Sequence, residues 1–574
     1  MTTSGSDSAP VSASPIPRRS VLASGAAGTA ALAATTLDPA HAAAAAAAGR
    51  GDDRVFRHGV ASGDPLPHGI VIWTRVTPTP AAQPGSGRGP RVTVGWEVAT
   101  DQRFRTVVRR GTFATGPGRD HTVKVEVGGL RPERWYHYRF TLGRARSRTG
   151  RLRTAPARNA RPDHLRFAVA SCANWQAGYF GAYRGIADRD DLHAVIHLGD
   201  YLYEYAPTQY GAGSDNVDVR PHVPATEIVT LADYRQRHAQ YKTDPDLQDA
   251  HARYPWIVTW DDHESANDAW REGAENHQPD TEGDYAARRA RAHRAYDEWM
   301  PVRMDRTAAL GDGDRLFRRL RFGTLMELSM LDLRTHRDRN VETPVVDAAV
   351  SDPDRTLTGP AQMAWLKRSL TRRAPQWRVV GNPVMIAPLG LGGLPEDLIA
   401  PINQIVNVVP EDGATVNTDQ WDGYTADRNE LFTHIRDHQV GDVVFITGDI
   451  HSAWASDLPY DAATYPLVGD TAGVEFVCTS VTSNNLKDAL GTPPRSAVNL
   501  AAEGAILAAN RHIKYLNFDD HGFCVLDVSA KRAQMDWFVI GSRTERATSI
   551  TWTRSFQTRA GTGRVVRVDR PVGR

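Results

Sequence analysis

The stretch Ala194-Val195-Ile196-His197-Leu198-Gly199-Asp200-Tyr201-Leu202-Tyr203-Glu204-Tyr205 decides the reading of this chain. Its first residues form a short apolar run, the pattern of a buried strand. The run breaks at Leu198-Gly199-Asp200, a sharp exit at the strand's C-terminal end. Open α/β sheets place their chemistry there. Asp200 is a carboxylate able to bridge two cations, and Tyr203, three residues on, is a phenol able to bind a hard, oxidised one. A strand, a turn and a polar cap would also account for Gly199-Asp200 taken alone, so the other strand ends have to decide.

Three of them carry similar chemistry. The apolar run 165–170 ends at Ser171-Cys172. The run 255–260 ends in Asp261-Asp262-His263-Glu264, and the run 442–447 ends in Gly448-Asp449-Ile450-His451. One acidic strand end is common; four ligand-bearing ends in one domain are hard to obtain by chance. Carboxylates, imidazole and phenolate suit hard or borderline cations, and a thiolate suits iron or zinc. A bridging carboxylate can hold two metals roughly 3.5–4 Å apart, a clamp that stabilises both attacking and leaving oxygens in phosphoryl transfer. Taken singly, Cys172 also reads as a buried core thiol and Tyr203 as a core aromatic. Tyr201 and Tyr205 read as packing residues, and Cys478 and Cys524 as inert core. His521 reads equally as a residue lining the cleft or as the cap of a turn.

Around these ends the chain alternates strands with helices. Residues 231–254, 285–299, 360–373 and 428–438 have helical spacing, which predicts a layered α/β domain over 163–545. Residues 55–156 are rich in Val, Thr, Trp and Tyr with Gly/Pro punctuation, and predict a separate small β-sandwich. Its Leu130-Arg131-Pro132 turn before Tyr136-His137-Tyr138 resembles the corner of fibronectin type III sandwiches. Residues 546–574 are rich in Arg, Thr and Gly and read as a tail.

The chain has 574 residues, 41% hydrophobic and 24% charged, with a net charge of +1. That balance is globular and gives no sign of a stable nucleic-acid or membrane partner. Three cysteines are too few for a disulfide framework. At the N-terminus, Arg18-Arg19 precede a small-residue apolar stretch and an Ala40-His41-Ala42 cleavage site. This is the layout of a twin-arginine signal peptide over 1–42, followed by an Ala/Gly linker over 43–54. Secretion by the twin-arginine export machinery is therefore expected, and the mature protein is expected to be a monomer.

Taken together, Ser171-Cys172, the motif His197-Leu198-Gly199-Asp200-Tyr201-Leu202-Tyr203-Glu204, Trp260-Asp261-Asp262-His263-Glu264 and Gly448-Asp449-Ile450-His451 resemble the PhoD-type alkaline phosphatases of the metallophosphoesterase superfamily. The resemblance implies a metallophosphatase β-sandwich flanked by helices, behind an N-terminal β domain. It implies iron(III) on Cys172, Asp200, Tyr203 and His451, and Ca²⁺ on Asp200, Asp262 and Asp449. Asp200 is then shared, and His263 faces the phosphate as a catalytic residue. Asp261, Glu264, Asn267 and Asp268 would orient ligands or hold further calcium. The expected function is a secreted phosphoric ester hydrolase, a phosphatase or phosphodiesterase, in which a metal-activated hydroxide attacks phosphorus. The alternative is a phospholipase D acting on lipid phosphodiesters at the same site, with residues 389–398 as a candidate apolar rim.

Overall fold

The apolar runs that end in ligand candidates become adjacent parallel strands, His164–Ala170, Ala194–His197 and Pro255–Val258. Their residues point alternately to two apolar layers. Phe167 and Val169 face one core while Ala168 and Ala170 face the other. Burial on both faces is why such strands read as unbroken apolar runs. In the computed structural model, which describes residues 52, 54–304, 316–341, 348–390 and 417–573, these three strands form the middle of a ten-stranded sheet. The expected signal peptide, nearly all of the linker and most of the 389–398 stretch lie outside the described residues.

A second sheet has seven strands, in the order Arg318–Phe322, Met326–Met330, Trp377–Asn382, Val443–Thr447, Thr471–Val477, Ala453–Pro459 and Ile513–Asn517. The two sheets share a core in which Phe167, Val169, Ile196, Leu198 and Ile257 meet Leu328, Met330, Val379, Val444, Ile446 and Phe476. Helices cover the outer faces. Gly181–Ala187, Leu231–Tyr241, Pro245–Arg253 and Tyr285–Trp299 pack on the first sheet, Pro360–Leu370 and Thr425–Asp437 on the second. Several helices start on a side-chain cap. Thr230 and Asp233 form a reciprocal capping box, and Asp244 and Asp284 each accept a first-turn N–H. The architecture is the layered α/β sandwich expected from the sequence.

The N-terminal sandwich is present, but it is not separate. Its five-stranded layer contains Val92–Ala99, Val107–Thr115, Trp135–Leu142, Ala145–Arg146 and Gly150–Arg153. Its other layer is the end of the ten-stranded sheet itself, because Val60–Gly63 pairs in parallel with Pro255–Val258 and antiparallel with Gly69–Arg75. The residues 55–156 therefore share a continuous sheet with the catalytic layer. The expected corner is there, with the Tyr136 hydroxyl accepting the Arg131 N–H at 2.9 Å.

The 546–574 segment is not a tail. Ile550–Arg559 and Val565–Val568 are the last two strands of the ten-stranded sheet, and Phe556 and Val565 are buried in the inter-sheet core. The mixture of Thr, Arg and Gln with apolar residues in Ile550–Arg559 is that of an antiparallel strand with one wet face. A helix at Ala497–Ala509, unforeseen in the sequence, follows the strand Thr471–Val477.

Candidate metal centre

Four parallel strands, three in the first sheet and one in the second, end at one place, and each of these ends delivers a side chain that can bind a cation. Cys172 follows His164–Ala170, Asp200 and Tyr203 follow Ala194–His197, Asp261 to Glu264 follow Pro255–Val258, and Asp449 and His451 follow Val443–Thr447. The exits are sharp. Cys172, Asp200, Asp449 and His451 hold left-handed backbone at φ 59°, 54°, 62° and 52°. Non-glycine residues hold that conformation at a cost, and such strain collects at functional sites. Gly199, at φ 111°, has a further reason to be glycine. A Cβ there would lie 2.5 Å from the Asp261 Cβ and 2.7 Å from its backbone nitrogen.

Ligand atoms of Cys172, Asp200 and His451 lie within 4.8 Å of one another. The same limit holds for Asp200, Asp262 and His263, for Asp200, Asp261, Asp262 and Asp449, and for Asp262, Asp268 and Asp419. Asp200 belongs to three of these four groups. Tyr203 joins the first, its hydroxyl lying 2.9 Å from the Asp200 Oδ2 and 3.2 Å from the His451 Nε2. The sequence candidates Cys172, Asp200, Tyr203, Asp262, His263, Asp449 and His451 are thus brought together.

Outer contacts orient these groups. His451 gives its Nδ1–H to the Asn484 carbonyl at 2.8 Å, which leaves Nε2 free to bind a cation. Ser483 donates to the Tyr203 hydroxyl at 2.6 Å. His263 Nδ1 lies 2.8 Å from Glu204, an acceptor fixed by the Asn267 N–H and the Asn276 amide. The His263 ring packs on Tyr203 with centroids 4.1 Å apart. Glu264 ties two of the strand ends together, accepting the backbone N–H groups of Asp200, Tyr201 and Asp261.

The electrostatics of the cluster suit cations. Burial pushes Asp200 well above the carboxylate range; His263 opposes this, and Asp262 and Asp261 add to it. Burial likewise raises Asp449, with Asp261 adding. Burial, then Asp200, raise both the Cys172 thiol and the Tyr203 phenol. Burial and the neighbouring Asp419 lift Asp268 to about 7. Asp262 runs the other way, since Arg334 and His263 outweigh its burial and hold it ionised. His263 is raised despite burial, by Asp262, Glu204 and Asp200. Metal ions fit this cluster on two further counts. The donors are the mixed oxygen, nitrogen and sulfur set that iron or zinc and a hard cation would share. In addition, Asp200 Oδ1 is buried with no hydrogen-bond partner, which is costly unless a cation meets it.

Four participants were not picked out from the sequence. Arg334 is buried against Asp261, Asp262, Asp419 and Asp449, and Arg337 pairs with Asp419. Ser483 and Asp419 come from loops with no strand-end signature. Of the remaining readings, Tyr201 is buried but not idle, its hydroxyl meeting His251 at 2.8 Å and Lys242 at 2.9 Å. Cys478 and Cys524 are buried free thiols, as read. His521 bridges Ser480 and Asp488 at 2.9 and 2.8 Å, a cross-link from a loop to the short helix Leu486–Leu490 rather than a turn cap.

A two-sheet α/β sandwich that collects carboxylates, a thiol, a phenol and imidazoles at its strand ends is built as a metal-centred hydrolase. The comparisons give that class its family. Residues 167–537 match the PhoD-like phosphatase model and residues 41–156 its N-terminal domain, so the chain belongs to the PhoD-like phosphatase family. It is 37% identical over 505 residues to alkaline phosphatase D of Bacillus subtilis (strain 168), covering 87% of this chain and 80% of that one. A solved structure titled "Structure of PhoD" superposes with a TM-score of 0.79 at 35% identity, covering 91% of this chain and 93% of that one.

Proposed function

We propose that this chain is a secreted phosphoric ester hydrolase, an alkaline phosphatase with phosphodiesterase capacity, working at an iron(III)–calcium pair. The observation that carries the reading is Asp200, a carboxylate common to three converging donor groups and carrying an unpartnered buried oxygen. Cys172, Asp200, Tyr203 and His451 would hold the iron, and Asp200, Asp262 and Asp449 the calcium. The all-oxygen second set suits Ca²⁺. When bound, such a pair supplies Lewis acidity toward the phosphoryl oxygens and lowers the pKa of a bound water.

The chain's own side chains do the rest. Glu204 accepts from the His263 Nδ1–H and turns Nε2 toward Asp200 and Asp262, where a protonated ring can donate to a phosphoryl or leaving oxygen. Arg334 fixes four carboxylates in place, which commits it to the cluster and leaves phosphate binding to other cations. Glu264 keeps the Asp200 and Asp261 backbones in register, so the two donor sets stay in contact.

The test is a substrate panel of a soluble phosphomonoester, a soluble diester and phosphatidylcholine micelles, with and without a chelator. The soluble esters should turn over, chelation should abolish it, and added Ca²⁺ should restore it. Full turnover in a calcium-free sample overturns the calcium assignment, and turnover confined to the micelles favours a phospholipase D. Export is tested by changing Arg18 and Arg19 to Lys. Precursor should then accumulate inside the cell, and normal export of that variant removes the twin-arginine assignment.

A further inference from the structure

The first half of the helix Ala497–Ala509 is built inside out. The sequence of the whole helix is Ala-Val-Asn-Leu-Ala-Ala-Glu-Gly-Ala-Ile-Leu-Ala-Ala, with only two polar side chains, Asn499 and Glu503. Those two, one helical turn apart, are the residues the helix buries. Asn499 donates to Asp519 at 2.6 Å, and Glu503 pairs with Arg495 and accepts the Phe518 N–H. Val498 and Leu500 face out, 59% and 42% exposed, while Ile506 and Leu507 in its second half pack against the core of the second sheet. Leu490, 50% exposed, lies in the preceding short helix Leu486–Leu490, which Thr492 ties to Asn499 at 3.1 Å. Leu467 and Val468 are exposed beside Tyr465, whose ring meets His512 just past the end of the inverted helix. Five of the nine large exposed apolar residues in the described chain fall in this one stretch. Isolated exposed apolar residues are ordinary, whereas a concentration of them marks a contact surface.

The solvent-exposed charges around this face, Arg495, Arg511 and Lys514 against Asp470, favour an anionic partner. Lys487, Arg495, Arg511 and Lys514 flank the helix at both ends. The carboxylate partners of Lys487, Arg495 and Lys514, namely Asp488, Glu503, Asp519 and Asp457, are turned inward, at 11%, 6%, 0% and 1% side-chain exposure. Arg495 and Lys514 keep 46% and 31% in solvent. Among these flanking residues, Asp470 is the exposed carboxylate, beside Val468. An apolar helical face with cations at its ends is the pattern of a helix lying in the plane of a membrane interface, with its cations on anionic headgroups. The net charge of +1 hides this, because it sums over the whole chain.

We infer that the face formed by Ala497–Ala509 and Leu490 docks the protein reversibly on an anionic lipid surface. The face is joined to the metal centre through the chain. Asn484, whose carbonyl holds His451, immediately precedes the segment that carries Leu490. Docking would hold the protein at the membrane surface and raise its exposure to phosphate esters held there. The inference does not depend on which metals fill the centre.

The experiment is co-sedimentation of the whole mature chain with vesicles of phosphatidylcholine alone, and of phosphatidylcholine with phosphatidylglycerol. Binding should be clear with the anionic vesicles, weaker with the neutral ones, and reduced by salt. The double change Val498→Asp with Leu500→Asp should lower anionic-vesicle binding roughly tenfold or more. Turnover of a soluble phosphomonoester should be unchanged, which also shows that the variant is folded. Arg511→Glu should weaken binding to the anionic vesicles and leave the neutral ones unaffected. No binding by the unaltered chain, or equal binding by the double variant, overturns the inference. Concentration-dependent dimerisation without vesicle binding, lost in the double variant, also overturns it and assigns the face to a second copy of the chain.

Discussion

Asp200 is the residue on which the two proposed metal positions depend. Its Oδ2 accepts from Tyr203 while its Oδ1 is buried with no partner. Asp200→Asn keeps the volume and removes the charge, so we expect both metals to be lost. Turnover should fall by more than the roughly 10–100-fold that changing an outer ligand partner costs. Asp190→Asn, a change at an exposed carboxylate outside the cluster, should be near neutral. Metal content and turnover measured on the same samples check this, and an inactive Asn variant with both metals at full occupancy would remove the bridging role. At this scale most of the site was legible in the sequence, because each ligand candidate sits within a few residues of an apolar run. Arg334 and Asp419 were not, because their role comes from folding. Each is an ordinary charged residue until the chain brings Asp261, Asp262 and Asp449 around it.

At the scale of the element, the strand-to-loop exit at Leu198 to Asp200 sets the geometry. Gly199 lies at φ 111° with the Asp261 backbone against the face a side chain would need. Gly199→Ala meets both the conformational strain and the clash, and should cost on the order of 1–3 kcal/mol of stability. It should also displace Asp261 relative to Asp200 and weaken metal retention. Thermal unfolding with metal analysis tests this, and a variant of unchanged stability and metal content would contradict it. The sequence locates the exit well, since Gly-Asp after an apolar run is a local pattern. The inverted helix Ala497–Ala509 was missed for the opposite reason. An almost wholly apolar segment carries no periodic contrast, and only its two polar residues reveal which side faces in.

Across the whole molecule, the ten-stranded sheet joins segments that read as three separate parts. Its first three strands in chain order lie in the N-terminal sandwich, its centre carries the ligands, and its far edge is the C-terminal segment. The link between Val60–Gly63 and Pro255–Val258 spans about 200 residues of sequence, so no local pattern announces it. The final strands were hidden because their wet faces fill them with Arg, Thr and Gln. Ending the chain at residue 545 would leave one edge of Arg532–Ile540 unpaired and uncover Trp537, whose ring meets Phe556 at 6.0 Å. We expect that truncation to be insoluble or much less stable, as judged by soluble yield and thermal unfolding. A soluble, fully active truncated protein would show that the segment is dispensable after all.

The central claim, a phosphate-ester hydrolase built on iron held by a phenolate and calcium held by carboxylates, is tested most directly on one purified sample. Iron, calcium, turnover and the visible absorption spectrum are measured together, with Tyr203→Phe alongside. Free tyrosine ionises only near pH ~10, and a ferric ion keeps a bound phenolate ionised near neutrality. The account predicts about one iron and at least one calcium per active chain, and a charge-transfer band that is lost or shifted in Tyr203→Phe. Full phosphatase activity in a colourless sample without iron would contradict it.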